Sequence, residues 1–420
     1  MKFIYNRAKL KDGVINIVVS GIICEYNPFH KGHEYHIRKT RDAGADFIIC
    51  IMSGAFVQRG TPAILDKWSR AYAALTGGAD MVIELPSVYA VSPAEMFAFG
   101  AVSLLDKLNV CTHLSFGSLH DASELLDIAR LLLDEPSEFK EALSVNLSRG
   151  LSYPSALAIA LSEYTNNPQT HQILADSNNV LGIEYIRAIL KINSKIKPQT
   201  VKRIGSMHND TSIGEFSSST AIRKALSEGD YSAAFSSMPD YSAAILRDLI
   251  ENGRVFSPKE YELICLYALR RADADYLACL ADVAEGLENR LKAFAKCSTL
   301  EDVISGVKSK RYTRARITRL ITYCVLGLTQ KLLADCGYAN GPGYARVLGY
   351  KKSACALIDM IKEKSSVPII TSVAQAPPLS PESKLTLQAD IRANDIQALT
   401  FDNPGRRAGA TDYTHPLVII

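Results

Sequence analysis

Four short apolar runs, at residues 17–24, 47–52, 81–85 and 112–116, alternate with stretches of helical period, and this constrains the fold more than any other feature of the chain. Short β-branched runs bounded by turn residues read as buried strands. Between them, helices are predicted from Gly32 to about Asp42, from an Asp66 cap through Leu75, and over 93–108, with Gly44 and the Gly77-Gly78 pair as stops. Strands joined through helices imply parallel βαβ units. Right-handed crossovers then give an α/β fold with a doubly wound parallel sheet, whose ligand site lies outside the carboxyl ends of the strands. After about residue 120 the period turns helical. A helix is expected over 178–190, a short strand near 201–204, and a helix carrying Ile222 and Leu226, capped by Ser219 or Thr220. The stretch 236–239 marks a boundary between a first domain, 17–236, and a mainly helical second domain, 240–420, which breaks at 377–381.

At 420 residues, 47% hydrophobic and 22% charged, the composition is that of a folded chain and excludes a largely disordered one. Lys+Arg 47 against Asp+Glu 44 leaves a net charge of +3, so any nucleic-acid partner must be argued from local clusters. No apolar run reaches the roughly 18–20 residues of a membrane-spanning helix. Lys2, Arg7, Lys9 and Lys11 precede the apolar run 15–24, yet that run continues into Glu25, Asn27 and His30 with no small-residue cleavage site. A signal peptide is therefore rejected, and a cytoplasmic protein with no membrane partner is expected. The nine cysteines are scattered and form no CxxC, which fits reduced, buried thiols better than disulfides or a zinc site.

The chemistry concentrates in Gly21-Ile-Ile-Cys-Glu25-Tyr-Asn27-Pro-Phe-His30-Lys-Gly32-His33. This sets His-x-Gly-His between the first strand and the first helix. Gly32 lets a phosphate approach the backbone, and a helix start offers unpaired N–H groups with partial positive charge. His30 and His33, three residues apart, can face one anion and donate to an α-phosphate as charge builds. His36 is one further turn along. It touches the edge of the site or the core, and no carboxylate or thiolate completes a metal set around it, so no metal site is expected.

HxGH at this position resembles the HIGH-type nucleotidyltransferase superfamily, whose second signature is a Ser/Thr-rich turn followed by Ile-Arg. Ser217-Ser-Ser219-Thr220-Ala-Ile222-Arg223 fits it. The resemblance implies a Rossmann-like domain in which Ser219, Thr220 and Arg223 hold the β- and γ-phosphates of ATP. A plain helix cap is the structural alternative. Further motifs follow in order: Met52-Ser-Gly-x-Phe-x-Gln58-Arg59-Gly60-x-Pro62-Ala63, Asp66-Lys67-Trp68-x-Arg70, Phe116-Gly117-Ser118, Asn178-Asn179-x-Leu-Gly182-Ile-Glu-Tyr185 and Lys310-Arg-Tyr-Thr-Arg314-x-Arg316-Ile. The series is similar to the bacterial tRNA(Met) cytidine acetate ligase family from about residue 18 to near 368.

That resemblance implies a cytoplasmic, RNA-binding ligase of tRNA modification. ATP and acetate would give acetyl-adenylate, and the acetyl group would pass to N4 of the wobble cytidine of elongator tRNA(Met). ATP would be a substrate accompanied by Mg2+, with no prosthetic group. Carried over by motif, the ATP contacts are Ile23, Cys24, Glu25, Tyr26, Asn27, Pro28, Phe29, His30, Lys31, Gly32, His33, Glu34, Tyr35 and His36, with Gly117, Asn178, Arg203 and Ile204. Bare Gly117 would admit adenine or ribose, Asn178 would read a base or ribose edge, and Arg203 would meet a phosphate. Lys31 stands where the family carries a neutral polar residue, and both a phosphate contact and a solvent-facing role stay open. Residues 1–16 precede the resemblance, and residues 207–210 and the tail from 371 follow it loosely.

The loop 52–70 borders the expected site. Gln58, Arg59, Lys67 and Arg70 are candidates for acetate, pyrophosphate or the tRNA, with plain solvation the alternative for Arg59 and Lys67. Trp68, the lone tryptophan, reads as core. Lys308, Lys310, Arg311, Arg314, Arg316 and Arg319 form an acid-free basic stretch interleaved by Tyr312. The apolar stripe Ile317, Leu320, Ile321 and Cys324 turns the cations toward the other side, where they can meet tRNA phosphates. The competing readings are a small-molecule nucleotidyltransferase of coenzyme-synthesis type and a nucleic-acid-binding protein with a dead catalytic domain. The length and basic second half argue against the first, and intact His30, Gly32, His33 and Arg223 against the second.

Overall fold

The computed structural model describes residues 10–11, 14–15, 17–167, 169–203, 214, 216–284 and 286–420. The four apolar runs form strands β1 (Val19–Cys24), β2 (Phe47–Ser53), β3 (Met81–Leu85) and β4 (His113–Ser118). With β5 (Lys197–Lys202) they run parallel in the order β3-β2-β1-β4-β5. Ile22 of β1 stands opposite Cys50 of β2 on one side and Ser115 of β4 on the other. The chain order reverses beside β1, so a crevice opens at the carboxyl ends of β1 and β4.

A parallel sheet must be covered on both faces, which explains why its strands lack polar alternation. All seven residues of β2 are buried. Ile48, Cys50 and Met52 pack with helices α1 (Lys31–Asp42) and α2 (Lys67–Thr76). Ile49 and Ile51 belong to the opposite core with α3 (Ala94–Lys107) and α4 (Ser177–Lys191). Four helices, Ala122–Asp134, Ser137–Ser148, Tyr153–Thr165 and Gln169–Ala175, stand between β4 and α4. Asp66 caps α2 as expected, its carboxylate accepting from the N–H groups of Trp68 and Ser69 at 3.0 and 2.9 Å.

Helix α5 (Ser219–Ser227) is capped by Ser218, whose Oγ accepts from the Ala221 N–H. Ser219 and Thr220, expected as caps, sit inside its first turn. The strand expected at 201–204 instead spans 197–202, and Ile204 and His208 lie outside the described residues. Beyond 240 the chain is mainly helical, including α6 (Arg314–Leu326) and α7 (Pro381–Leu399), yet it also returns three strands to the sheet. Strand β6 (Ala345–Tyr350) pairs antiparallel with β3, and β7 (Ile369–Ile370) and β8 (Val418–Ile419) pair parallel with β6. Arg346 and Gly349 interrupt the apolar run of β6 and hide it from periodicity. Among the described residues no helix is long and apolar enough to cross a membrane.

Candidate active site

His30 is the N-cap of α1. Its Nδ1 accepts from the Gly32 N–H at 3.1 Å, and the His33 Nδ1 accepts from the His30 N–H at 3.3 Å. This reciprocal capping box has imidazoles in both side-chain roles. Backbone donors thus take both Nδ1 atoms, so each neutral ring carries its proton on Nε2. The rings stack with centroids 3.6 Å apart, and Tyr26 meets His33 edge-on at 4.8 Å. Burial, then the neighbouring His30, His36 and Arg203, holds the His33 pKa well below its usual value. Two imidazole N–H donors at a helix N-terminus, His33 held neutral by its burial, suit a developing phosphoryl charge.

The second signature docks against the first. Arg223 on α5 donates to the Asn27 carbonyl at 2.7 Å and reaches the Thr220 hydroxyl at 3.3 Å. The Lys31 N–H donates to the Ser237 carbonyl at 3.1 Å, and the Ser242 hydroxyl to the Phe29 carbonyl at 2.8 Å. Lys31 itself donates to the Ser236 carbonyl at 2.8 Å, so it fastens α1 to this segment. Burial pulls the Arg223 pKa down, and Glu25 pulls it back up.

Not every residue of the first motif can offer its side chain. Tyr26, Asn27 and Phe29 are 1–3% exposed. Asn27 accepts from the Ile64 N–H at 2.8 Å, and Phe29 packs on Tyr26 at 4.9 Å, so these residues shape the loop. Ile23 and Cys24 end β1, and Pro28 is buried. Glu34 accepts from the Tyr241 hydroxyl at 3.0 Å, and Tyr35 lies against Phe216. His36 bonds the Ser115 hydroxyl of β4 at 3.0 Å, and burial lowers its pKa to about 4, which places it at the floor of the crevice.

At the carboxyl ends of β4 and β5, the Arg203 N–H donates to the Ser118 carbonyl at 3.2 Å. A Cβ on Gly117 would stand 3.1 Å from the Arg203 Cγ, so the bare position admits the arginine stem. The Asp176 carboxylate joins Asn178 to Arg203. Glu25 accepts from the Gln58 N–H at 2.7 Å, and burial raises its pKa despite this bond and Arg223. Among the described residues no three carboxylate, imidazole or thiolate groups gather to hold a metal ion.

Two loop cations expected near substrate are interior instead. Lys67 is fully buried, 2.8 Å from Glu84 and 2.7 Å from Asp412. Arg70 is fully buried and donates to the carbonyls of Glu25, Ser53, Gly54 and Leu65. Their partners lie far along the chain or on the backbone, where no local pattern signals them. Trp68 is core, as expected, and stacks on His415 at 4.1 Å. Arg59 is exposed.

In the basic stretch Lys308, Lys310, Arg311 and Arg314 are exposed, Arg316 is half-buried and Arg319 is 8% exposed. Arg314 pairs with Glu301, and Arg316 with Asp282 at 3.0 Å. Arg319 also faces Asp282, at 3.9 Å, and its burial withdraws it from the expected phosphate surface. Gly60 lies against the Arg319 backbone at positive φ, and the Thr322 hydroxyl donates to the Gly60 carbonyl at 2.6 Å. The loop holding Glu25 therefore rests on the helix that continues the basic stretch.

The HIGH Nucleotidyl Transferase family matches residues 17–412. A tRNA(Met) cytidine acetate ligase of Caldanaerobacter subterraneus subsp. tengcongensis is 41% identical, over 95% of this chain and 98% of the relative. One of Acetivibrio thermocellus is 39% identical, over 96% and 100%. The structure superposes on apo Thermotoga maritima TmcAL with a TM-score of 0.92 at 34% identity, covering 96% of this chain and all of that one. TmcAL bound with alpha-thio ATP gives a TM-score of 0.89 at 33% identity, covering 96% of this chain and 99% of that one. At that similarity over nearly the whole length, the chain belongs to the HIGH nucleotidyltransferases and, within them, to the tRNA(Met) cytidine acetate ligase family.

Proposed function

We propose that this chain activates acetate with ATP and acetylates N4 of the wobble cytidine of elongator tRNA(Met). An acetate oxygen attacks the α-phosphorus, the bond to the β-phosphate breaks and pyrophosphate leaves. The cytosine N4 then attacks the acetyl carbonyl carbon, AMP leaves, and N4 gives up a proton. The stacked His30 and His33, both with Nδ1 taken by backbone, carry this reading. Their Nε2–H groups stabilise α-phosphate charge, while Ser219, Thr220 and Arg223 serve the β- and γ-phosphates. Gly117, Asn178 and Arg203 border the nucleoside side, and Mg2+ travels with the phosphates as part of the substrate. Lys308, Lys310, Arg311 and Arg314, in the second half of the chain, face tRNA phosphates.

The amine needs no strong base because the mixed anhydride supplies the driving force. The protein must bring the base to the adenylate, which means turning it out of the anticodon stack. Incubation of unmodified elongator tRNA(Met) with ATP and acetate, followed by mass spectrometry of the digested tRNA, tests the reading. N4-acetylcytidine at the wobble position with AMP and pyrophosphate is expected. An adenylylated nucleoside, or ADP in place of AMP, overturns it.

A further inference from the structure

We infer that Asp176 is a positioning residue that holds Asn178 and Arg203 as one unit at the carboxyl ends of β4 and β5. The inference rests on the reading of Asn178 and Arg203 as ATP contacts. Asp176 is the N-cap of α4, and its side chain is 11% exposed. Its Oδ1 accepts from the Asn178 N–H at 2.8 Å, which is the capping bond, and also from the Asn178 side-chain amide at 3.0 Å. Its Oδ2 has no part in the cap and lies 3.4 Å from the Arg203 guanidinium.

An aspartate that only capped α4 would need neither of the two side-chain contacts. Capping is a backbone task that serine performs about as well. The second oxygen instead reaches a residue on another element, just past β5. From the other side Arg203 is fixed by its N–H on the Ser118 carbonyl and by its stem over Gly117. A long flexible cation is thereby held beside His33 before any nucleotide arrives. The Asn178 amide is turned the same way, its NH2 on Asp176, which leaves its carbonyl oxygen to accept from a base or ribose group. Preorganisation of this kind strengthens binding by reducing the ordering left to occur when the ligand arrives.

The test is Asp176→Ser, which preserves the cap but is too short to reach Arg203. ATP-dependent pyrophosphate exchange is measured with acetate, and the melting temperature is followed in parallel. A purely capping residue would leave both at wild-type values. The expected result is a wild-type melting temperature, a KM for ATP raised about tenfold and a kcat within about twofold, the pattern of lost uniform binding. A wild-type KM in Asp176→Ser, with raised KM in Asn178→Ala and Arg203→Ala, overturns the positioning role alone. A wild-type KM in all three overturns the ATP reading of this corner along with it.

Discussion

At the scale of single residues, the position of one proton decides what His33 can do. The His30 N–H occupies Nδ1, so the neutral ring donates through Nε2, and burial keeps it neutral. In the proposed reaction this makes His33 an electrophilic donor and not a proton source. His33→Ala is expected to slow pyrophosphate exchange by about 10²–10³ while leaving the near-ultraviolet circular dichroism unchanged. A wild-type rate in the folded variant would sink the assignment. Proton NMR should find the His33 ring still neutral at about pH 6; a titration centred near about 6.5 contradicts its burial. His36 carries the stability consequence. Its folded pKa is about 4, and the unfolded chain takes up that proton below about 6.5. Unfolding then binds a proton the fold refuses, so stability falls as pH drops from about 6.5 toward about 4. The melting temperature of the wild type should fall more steeply between pH 7 and 5 than that of His36→Gln, which can still bond Ser115. Equal slopes would assign the acid sensitivity elsewhere.

Among the elements, α6 and the residues leading into it carry the RNA argument. Lys310 and Arg311 are exposed just before the helix, whereas Arg316 and Arg319 turn toward Asp282. Lys310→Glu with Arg311→Glu should weaken tRNA binding and reduce its salt dependence by about two counterions, while pyrophosphate exchange, which uses no tRNA, proceeds. An unchanged salt slope would remove this stretch from the binding surface. The same helix marks how far sequence reaches. HxGH was legible because the proposed chemistry needs those residue types at a strand-to-helix turn, and the parallel sheet, though not the order of its strands, followed from alternation. Arg319 was misplaced because an apolar stripe of Ile317, Leu320 and Ile321 sets the helix face only roughly, and Asp282 draws the guanidinium inward. Lys67 and Arg70 look like phosphate ligands when only their neighbours in sequence are considered. Their true partners are Glu84, Asp412 and loop carbonyls brought together by the sheet. Strand β6 stayed hidden for the same reason, since Arg346 is tolerated there because Glu84, 3.1 Å away, and Asp412 pair with it.

For the molecule as a whole, that buried cluster ties the segment around Asp412 to α2, β3 and β6. Lys67 and Arg346 face Glu84 and Asp412 with all four groups at most 4% exposed. Nearby Asp390 accepts from the Ser87 N–H and the Tyr344 hydroxyl, and burial, with Glu84, pushes its pKa up to about 7. With that proton on, two cations meet two carboxylates. Burial alone would raise the Asp412 pKa, but Lys67 and Arg346 outweigh it and hold it below the usual value. Its contribution is therefore complete above the unfolded carboxylate range and is lost as pH falls through the folded value. Removing one partner of such a set leaves a buried charge unpaired, at a cost of about 3–5 kcal/mol. Asp412→Ala should show a loss of that size in denaturant unfolding. Adding Lys67→Met should recover part of it, because the stranded ammonium is gone as well. The effect should also register at the nucleotide. Lys67 opens α2, and Arg70 on the same helix fixes the Glu25 carbonyl beside the first motif. Asp412→Ala is accordingly expected to raise the KM for ATP in pyrophosphate exchange, although the residue stands outside the proposed ATP contacts. A single variant within about 1 kcal/mol of wild type, with an unchanged KM, would mean that the terminal segment is held by strand pairing and the Trp68–His415 stack alone.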